Sequence, residues 1–155
     1  MSDMQHADQS APASSVEVEL TPPSEGSERP VGGALAAAIS NRMVRILRSY
    51  SGRGPTKART TVGRDHVLVV LHDTLTTAER TLVAHGNGEL VLQTRHSLQK
   101  AMREEATRMV NELTGRTVIG FMSDNHIDPD LAAEVFVLEP RPDSAHAPAE
   151  AEVSV

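Results

Sequence analysis

Two short stretches carry side chains whose types and spacing could do chemistry. The first, SGRGPTKART, spans residues 51–60 and joins two glycines and a proline to Arg53, Lys57 and Arg59. A glycine-rich turn can offer backbone N–H groups to an anion, with arginines supplying charge and forked hydrogen bonds. GRGPTK is not a Walker A loop, which needs four residues between its glycines and a Gly-Lys-Ser/Thr end. It is not GxGxxG either. The plainer reading is a helix stop followed by a strand that carries Lys57 and Arg59 into solvent. The second stretch is Asp124-Asn125-His126-Ile127-Asp128-Pro129-Asp130. Carboxylates and an imidazole at alternate positions could ligate a divalent metal. A calcium loop, however, would need glycine where Pro129 stands and glutamate where Val135 stands. Asn, Asp and Pro are also the usual turn formers, so a hairpin loop is preferred and no metal is expected, with Asp124, His126, Asp128 and Asp130 as the only weak candidates.

No catalytic constellation is visible. His66, His72, His85, His96 and His126 are scattered, and Ser51 or Ser123 as a nucleophile would need a base that spacing does not supply. There is no cysteine, so there is no disulfide, thiolate ligand or thiol nucleophile. Met43, Met102 and Met109 fall at core-filling positions. The expectation is a non-enzymatic protein without a cofactor.

Charge is distributed unevenly. The net charge is −6. Residues 1–30 hold Asp3, Asp8, Glu17, Glu19, Glu25 and Glu28 against Arg29 alone. Residues 31–64 hold no acid but Arg42, Arg45, Arg48, Arg53, Lys57, Arg59 and Arg64. Such a footprint has the sign needed for an acidic partner, a nucleotide or a nucleic acid. The acidity of the whole chain and the scarcity of stacking aromatics (Tyr50, Phe121 and Phe136) weigh against nucleic acid.

The elements that must position these groups follow from periodicity. The chain of 155 residues allows one domain plus tails. Residues 1–30 and 141–155 have little to bury and are expected to be disordered; residues 31–140 form the domain. Leu35, Ile39, Met43, Ile46 and Tyr50 make one helical stripe, with Arg42, Arg45 and Arg48 projecting elsewhere. Gly52, Gly54 and Pro55 stop that helix. KARTTVG and HVLVVLHD read as a hairpin. Thr76-Thr77-Ala78-Glu79 fits a capping box for a short helix from Thr77 to about His85. A long helix follows to Gly115, its stripe read as Val91, Leu98, Met102, Met109 and Leu113, with Thr94 and Ala106 between and Gln99, Arg103 and Glu104 off it. RTVIGFMS and AAEVFVLEP form a second hairpin around the loop DNHIDPDL. The order α-ββ-αα-ββ predicts an α+β two-layer sandwich: a four-stranded, mainly antiparallel sheet with helices on one face. The long helix should outreach such a sheet, leaving part of its stripe for a second copy of the chain.

YSGRGPTKART, LVVLHDTLTTAERTLV and VIGFMSDNHIDPDLAAEVFVLEP together resemble the MpsC-like (YbcI-like) bacterial family, named for one component of a sodium-translocating, membrane-potential-generating system. The resemblance covers roughly residues 34–140. It implies a small accessory component beside membrane partners that move ions or inorganic carbon. No apolar run approaches the length of a bilayer span and no signal peptide is expected. The chain should therefore be cytoplasmic, reach a membrane only through a protein partner, and form a homo-oligomer. The proposed contact surface is Arg42, Arg45, Arg53, Gly54, Pro55, Lys57 and Arg59. The alternative is a regulatory module that binds a nucleotide or nucleic acid through the same surface.

Overall fold

Twenty residues with an apolar stripe at helical spacing fold as α1, Gly32–Ser51, in the computed structural model, which describes residues 29–141. The two expected tails lie outside the described residues, apart from Arg29, Pro30 and Arg141 at their borders. Ile39, Met43, Ile46 and Leu47 are buried, and Leu35 and Tyr50 pack at the margin of the core. Gly52 ends the helix at φ 76°, donating its N–H to the Arg48 carbonyl at 2.9 Å. This is the left-handed position that glycine fills without strain.

The first hairpin pairs β1, Lys57–Val62, with β2, His66–His72. α2 follows at Thr77–Ala84, and its capping box is complete. Thr76 Oγ1 accepts from the Glu79 N–H at 3.2 Å, and Glu79 Oε2 accepts from the Thr76 N–H at 2.7 Å. Thr76→Ala is expected to cost about 1 kcal/mol, seen as a lower urea midpoint at unchanged slope.

α3, Gly88–Thr114, is 27 residues long, roughly 40 Å at 1.5 Å per residue. Its buried side is Val91, Arg95, Gln99, Met102, Ala106, Met109 and Val110. The face is therefore rotated from the expected stripe: Thr94 is exposed, Leu98 and Leu113 are half-buried, and Gln99 is inside. Two polar residues, Arg95 and Gln99, sit on the core line. Burial also runs nearly the whole length of the helix, which packs on α1, α2 and β3. Among the described residues, α3 therefore spends its buried side within the chain and leaves no long surplus of stripe.

β3, Val118–His126, and β4, Leu131–Leu138, complete a sheet ordered β1-β2-β4-β3, with all neighbours antiparallel. β3 runs further than expected, so Asp124, Asn125 and His126 belong to the strand and only residues 127–130 turn. A register shift between Val118 and Gly120 resets the alternation. Val118 and Phe121 consequently both face inward, while Ile119 stands 61% exposed. The core lies between α1 and α3 and one face of the sheet, lined by Val67, Val69, Leu71, Ala132, Phe136 and Leu138. Phe121 and Phe136 pack with ring centroids 5.0 Å apart.

Candidate functional site

Strand alternation divides the basic residues into two groups. Thr60 of β1 faces α1, where its Oγ1 lies 2.7 Å from Ser40 Oγ. Lys57 and Arg59, one position out of phase, must therefore point from the other face of the sheet. Arg45 and Arg48 are exposed on α1. The single surface expected from Arg42 through Arg59 is thus corrected to two patches on opposite layers. Arg42 leaves the first patch as well, because its Nη2 is paired with Glu112 Oε2 at 3.3 Å.

What remains together is Arg45, Arg48 and the turn of Arg53, Gly54 and Pro55. Ser51 Oγ lies 2.8 Å from the Leu47 carbonyl and 2.7 Å from the Arg53 carbonyl, and holds the chain reversal. The Arg48 guanidinium lies over Gly54, where a Cβ would come within 3.2 Å of Nε. The missing side chain at position 54 is what lets Arg48 approach the turn. Arg53 is half-buried, and its Nε has no hydrogen-bond partner. The end of the turn is fastened to β2 by the Thr56 N–H, which donates to the His72 carbonyl at 3.0 Å, and by a short Thr56–Asp73 side-chain contact.

The acidic loop residues are dispersed. Asp124 Oδ1 accepts from its neighbour's N–H, that of Asn125, at 2.8 Å. His126 Nδ1 donates to the Pro129 carbonyl at 2.9 Å. Asp128 is exposed in the turn. Asp130 faces the β2–α2 connection: Oδ1 accepts from the Thr74 N–H at 2.9 Å and the Thr74 hydroxyl at 3.0 Å, and Oδ2 from the Leu75 N–H at 2.9 Å. Among the described residues, no three His, Cys, Asp or Glu side chains converge as a metal site.

The densest polar constellation is one that periodicity did not predict. Arg95, 3% exposed on α3, donates from Nε to Asn125 Oδ1 at 2.8 Å, from Nη2 to Thr74 Oγ1 at 2.8 Å, and from Nη1 to both Glu79 oxygens at 3.2 Å. Thr74 and Glu79 are also buried. One guanidinium thereby ties α3 to β3, to α2 and to the loop that Asp130 caps. Its donors are used within the chain, so its role is to hold elements together. Next to it lies a cavity of about 10 Å³, room for roughly one water, lined by Arg95, Gln99, Asn125, Glu134, Leu47 and Met102 among others. Glu134 on β4 is 1% exposed, and its Oε2 has no hydrogen-bond partner. Burial pushes its carboxyl up to about 7, against the opposing pull of Ser123 and Arg95. The sequence did hold a signal for both residues. Arg95 falls four residues after Val91 on the core stripe, and Glu134 sits between Ala132 and Phe136 on the inward side of a strand. A polar residue on an apolar period is the informative exception.

Residues 32–140 match the family model described as "Na+-translocating membrane potential-generating system (MpsC)". The chain is also similar to the uncharacterized protein YbcI of Bacillus subtilis (strain 168), at 30% identity over 93 residues, which is 59% of this chain and 75% of that protein. No solved structure matches it.

Proposed function

The chain belongs to the MpsC family, and from that premise we propose that it is a non-enzymatic accessory protein of a membrane system that moves ions or inorganic carbon. It docks from the cytoplasm on an acidic surface of a protein partner through Arg45, Arg48 and the Arg53-Gly54-Pro55 turn. The observation that carries this reading is a cationic patch without local neutralisation. Among the described residues, no carboxylate lies within ion-pair distance of Arg45, Arg48 or Arg53, whereas Arg42 and Arg95 are paired. No helix among the described residues is long and apolar enough to cross a membrane; in this reading a protein partner supplies the link. The family name gives the context, and the patch gives the contact.

The full chain carrying Arg45→Glu, Arg48→Glu and Arg53→Glu should be recovered with membranes at least tenfold less well than wild type in low salt. Wild-type recovery should fall as salt rises. Lys57→Glu, on the opposite layer, should leave recovery unchanged. Equal recovery of the triple variant would remove the proposal. Salt-dependent retention of nucleic acid that the triple variant loses would replace it with the regulatory reading.

A further inference from the structure

β2 and β4 read as strands covered on both faces, yet helices cover only one. Antiparallel sheets with one wet face normally alternate apolar with polar residues. Here the positions turned away from α1 and α3 are Leu68 and Val70 on β2 and Leu131, Ala133, Val135 and Val137 on β4. Met122, 56% exposed, extends this surface onto β3. Among the described residues, nothing packs on it. We propose that a second copy of this chain does, with the two sheets face to face about a two-fold axis parallel to the strands.

The charges at the rim select this partner and this axis. The register places Arg59, Val70, Ala133 and Asp124 in one row across the sheet, from the β1 edge to the β3 edge. A two-fold along the strands reverses the row without shifting it. Arg59 of each copy then meets Asp124 of the other, Val70 meets Ala133, and Leu68 meets Val135 in the next row. The other in-plane axis would lay β1 on β1, bringing Lys57 and Arg59 against their own copies, which is repulsive. The surface is thus self-complementary in one arrangement, as an isologous interface requires. Packed sheets stand about 10 Å apart and cross at about 30°, an offset that the long Arg59 side chain can span. A hollow of about 360 Å³ beside Leu131, Ala133 and His126 lies opposite the partner rows that carry Val70 and His72. Asp124 is exposed, and among the described residues its carboxylate accepts a hydrogen bond from the Asn125 N–H alone and has no ion-pair partner.

Sedimentation velocity on the full chain tests this. Wild type should be a dimer at micromolar concentration. Arg59→Asp alone and Asp124→Arg alone should each raise the dissociation constant at least tenfold by setting like charges together twice per dimer. The double variant, Arg59→Asp with Asp124→Arg, should recover most of the loss. All three should keep the wild-type melting curve at concentrations where they are monomeric, since both side chains are at the surface. A wild type that stays monomeric at 100 µM, as it would if a terminal segment covered the face, overturns the proposal. So does a dimer indifferent to both single variants, or single losses that the double variant fails to restore. These readouts are masses, so they stand or fall separately from membrane recovery.

Discussion

Arg95→Met should destabilise the folded chain by about 3–5 kcal/mol, the usual cost of breaking a buried ion pair from one side. Methionine fills much of the same volume, so the loss reports charge and hydrogen bonding more than a cavity. The variant leaves Glu79 buried with its partner gone, together with Asn125 Oδ1 and Thr74 Oγ1, each of which accepts from Arg95 at 2.8 Å. α2 is the element most exposed to this loss. Its only buried residue is Glu79, so the guanidinium does for α2 what an apolar stripe does for α1. Amide exchange should therefore accelerate across Thr77–Ala84 by more than across the sheet. Arg95→Lys should fall between the two, because an ammonium cannot reproduce a fork aimed at three acceptors. Adding Glu79→Gln to Arg95→Met should restore part of the stability, since the stranded charge is then removed. A urea-measured loss below about 1 kcal/mol for Arg95→Met would show that the network is dispensable.

That network also marks the boundary of what the sequence conveys. Local rules were sufficient for α1, whose stripe and glycine stop are both within reach of a few residues, and for α2, whose capping box is formed as expected. The two antiparallel hairpins are formed as expected, and β4 rather than β3 lies beside β2. Three features needed the assembled fold. The inward face of α3 includes Arg95 and Gln99, and Arg95 is accommodated in the core because Thr74, Glu79 and Asn125 arrive from elsewhere to meet it. The inward face of β3 is set by a register shift that a simple alternation of Thr117, Ile119 and Phe121 does not contain. The basic run was legible as charge, but not as geometry. A helix and a strand joined by one turn share a sequence neighbourhood, yet the pleat sends Lys57 and Arg59 to one layer while Arg45 and Arg48 stay on the other. Periodicity finds what an element buries; it does not say which of two surfaces the remaining charges share.

Glu134 gives the second large effect, and its sign is opposite to ordinary acid denaturation. Most paired carboxylates stabilise a fold when ionised, so stability falls as pH falls. Glu134 has a folded pKa near 7 against a reference of 4.5. Between those values the folded state therefore holds a proton that the unfolded state has lost. Stability must then rise as pH is lowered from above 7 towards 4.5, and the ionised form costs about 3 kcal/mol at pH 8.5, from 1.36 kcal/mol per pKa unit. The groups facing it explain why burial dominates. Ser123 stands opposite on β3 and Val69 opposite on β2, Arg95 approaches from α3 but spends its donors on other partners, and Oε2 has no hydrogen bond at all. Glu134→Gln keeps the shape and the polar end without the charge. Its melting temperature at pH 8.5 should exceed that of wild type, and the difference should shrink to about a quarter by pH 5 and vanish below pH 4.5. Other titrating groups affect both proteins alike, so the difference between the two curves isolates this carboxyl. Parallel curves over that range would mean that the carboxylate is stabilised by something other than these neighbours. A falling difference means that the core carries a proton whose loss loosens the junction of β3, β4 and α3 at ordinary cellular pH.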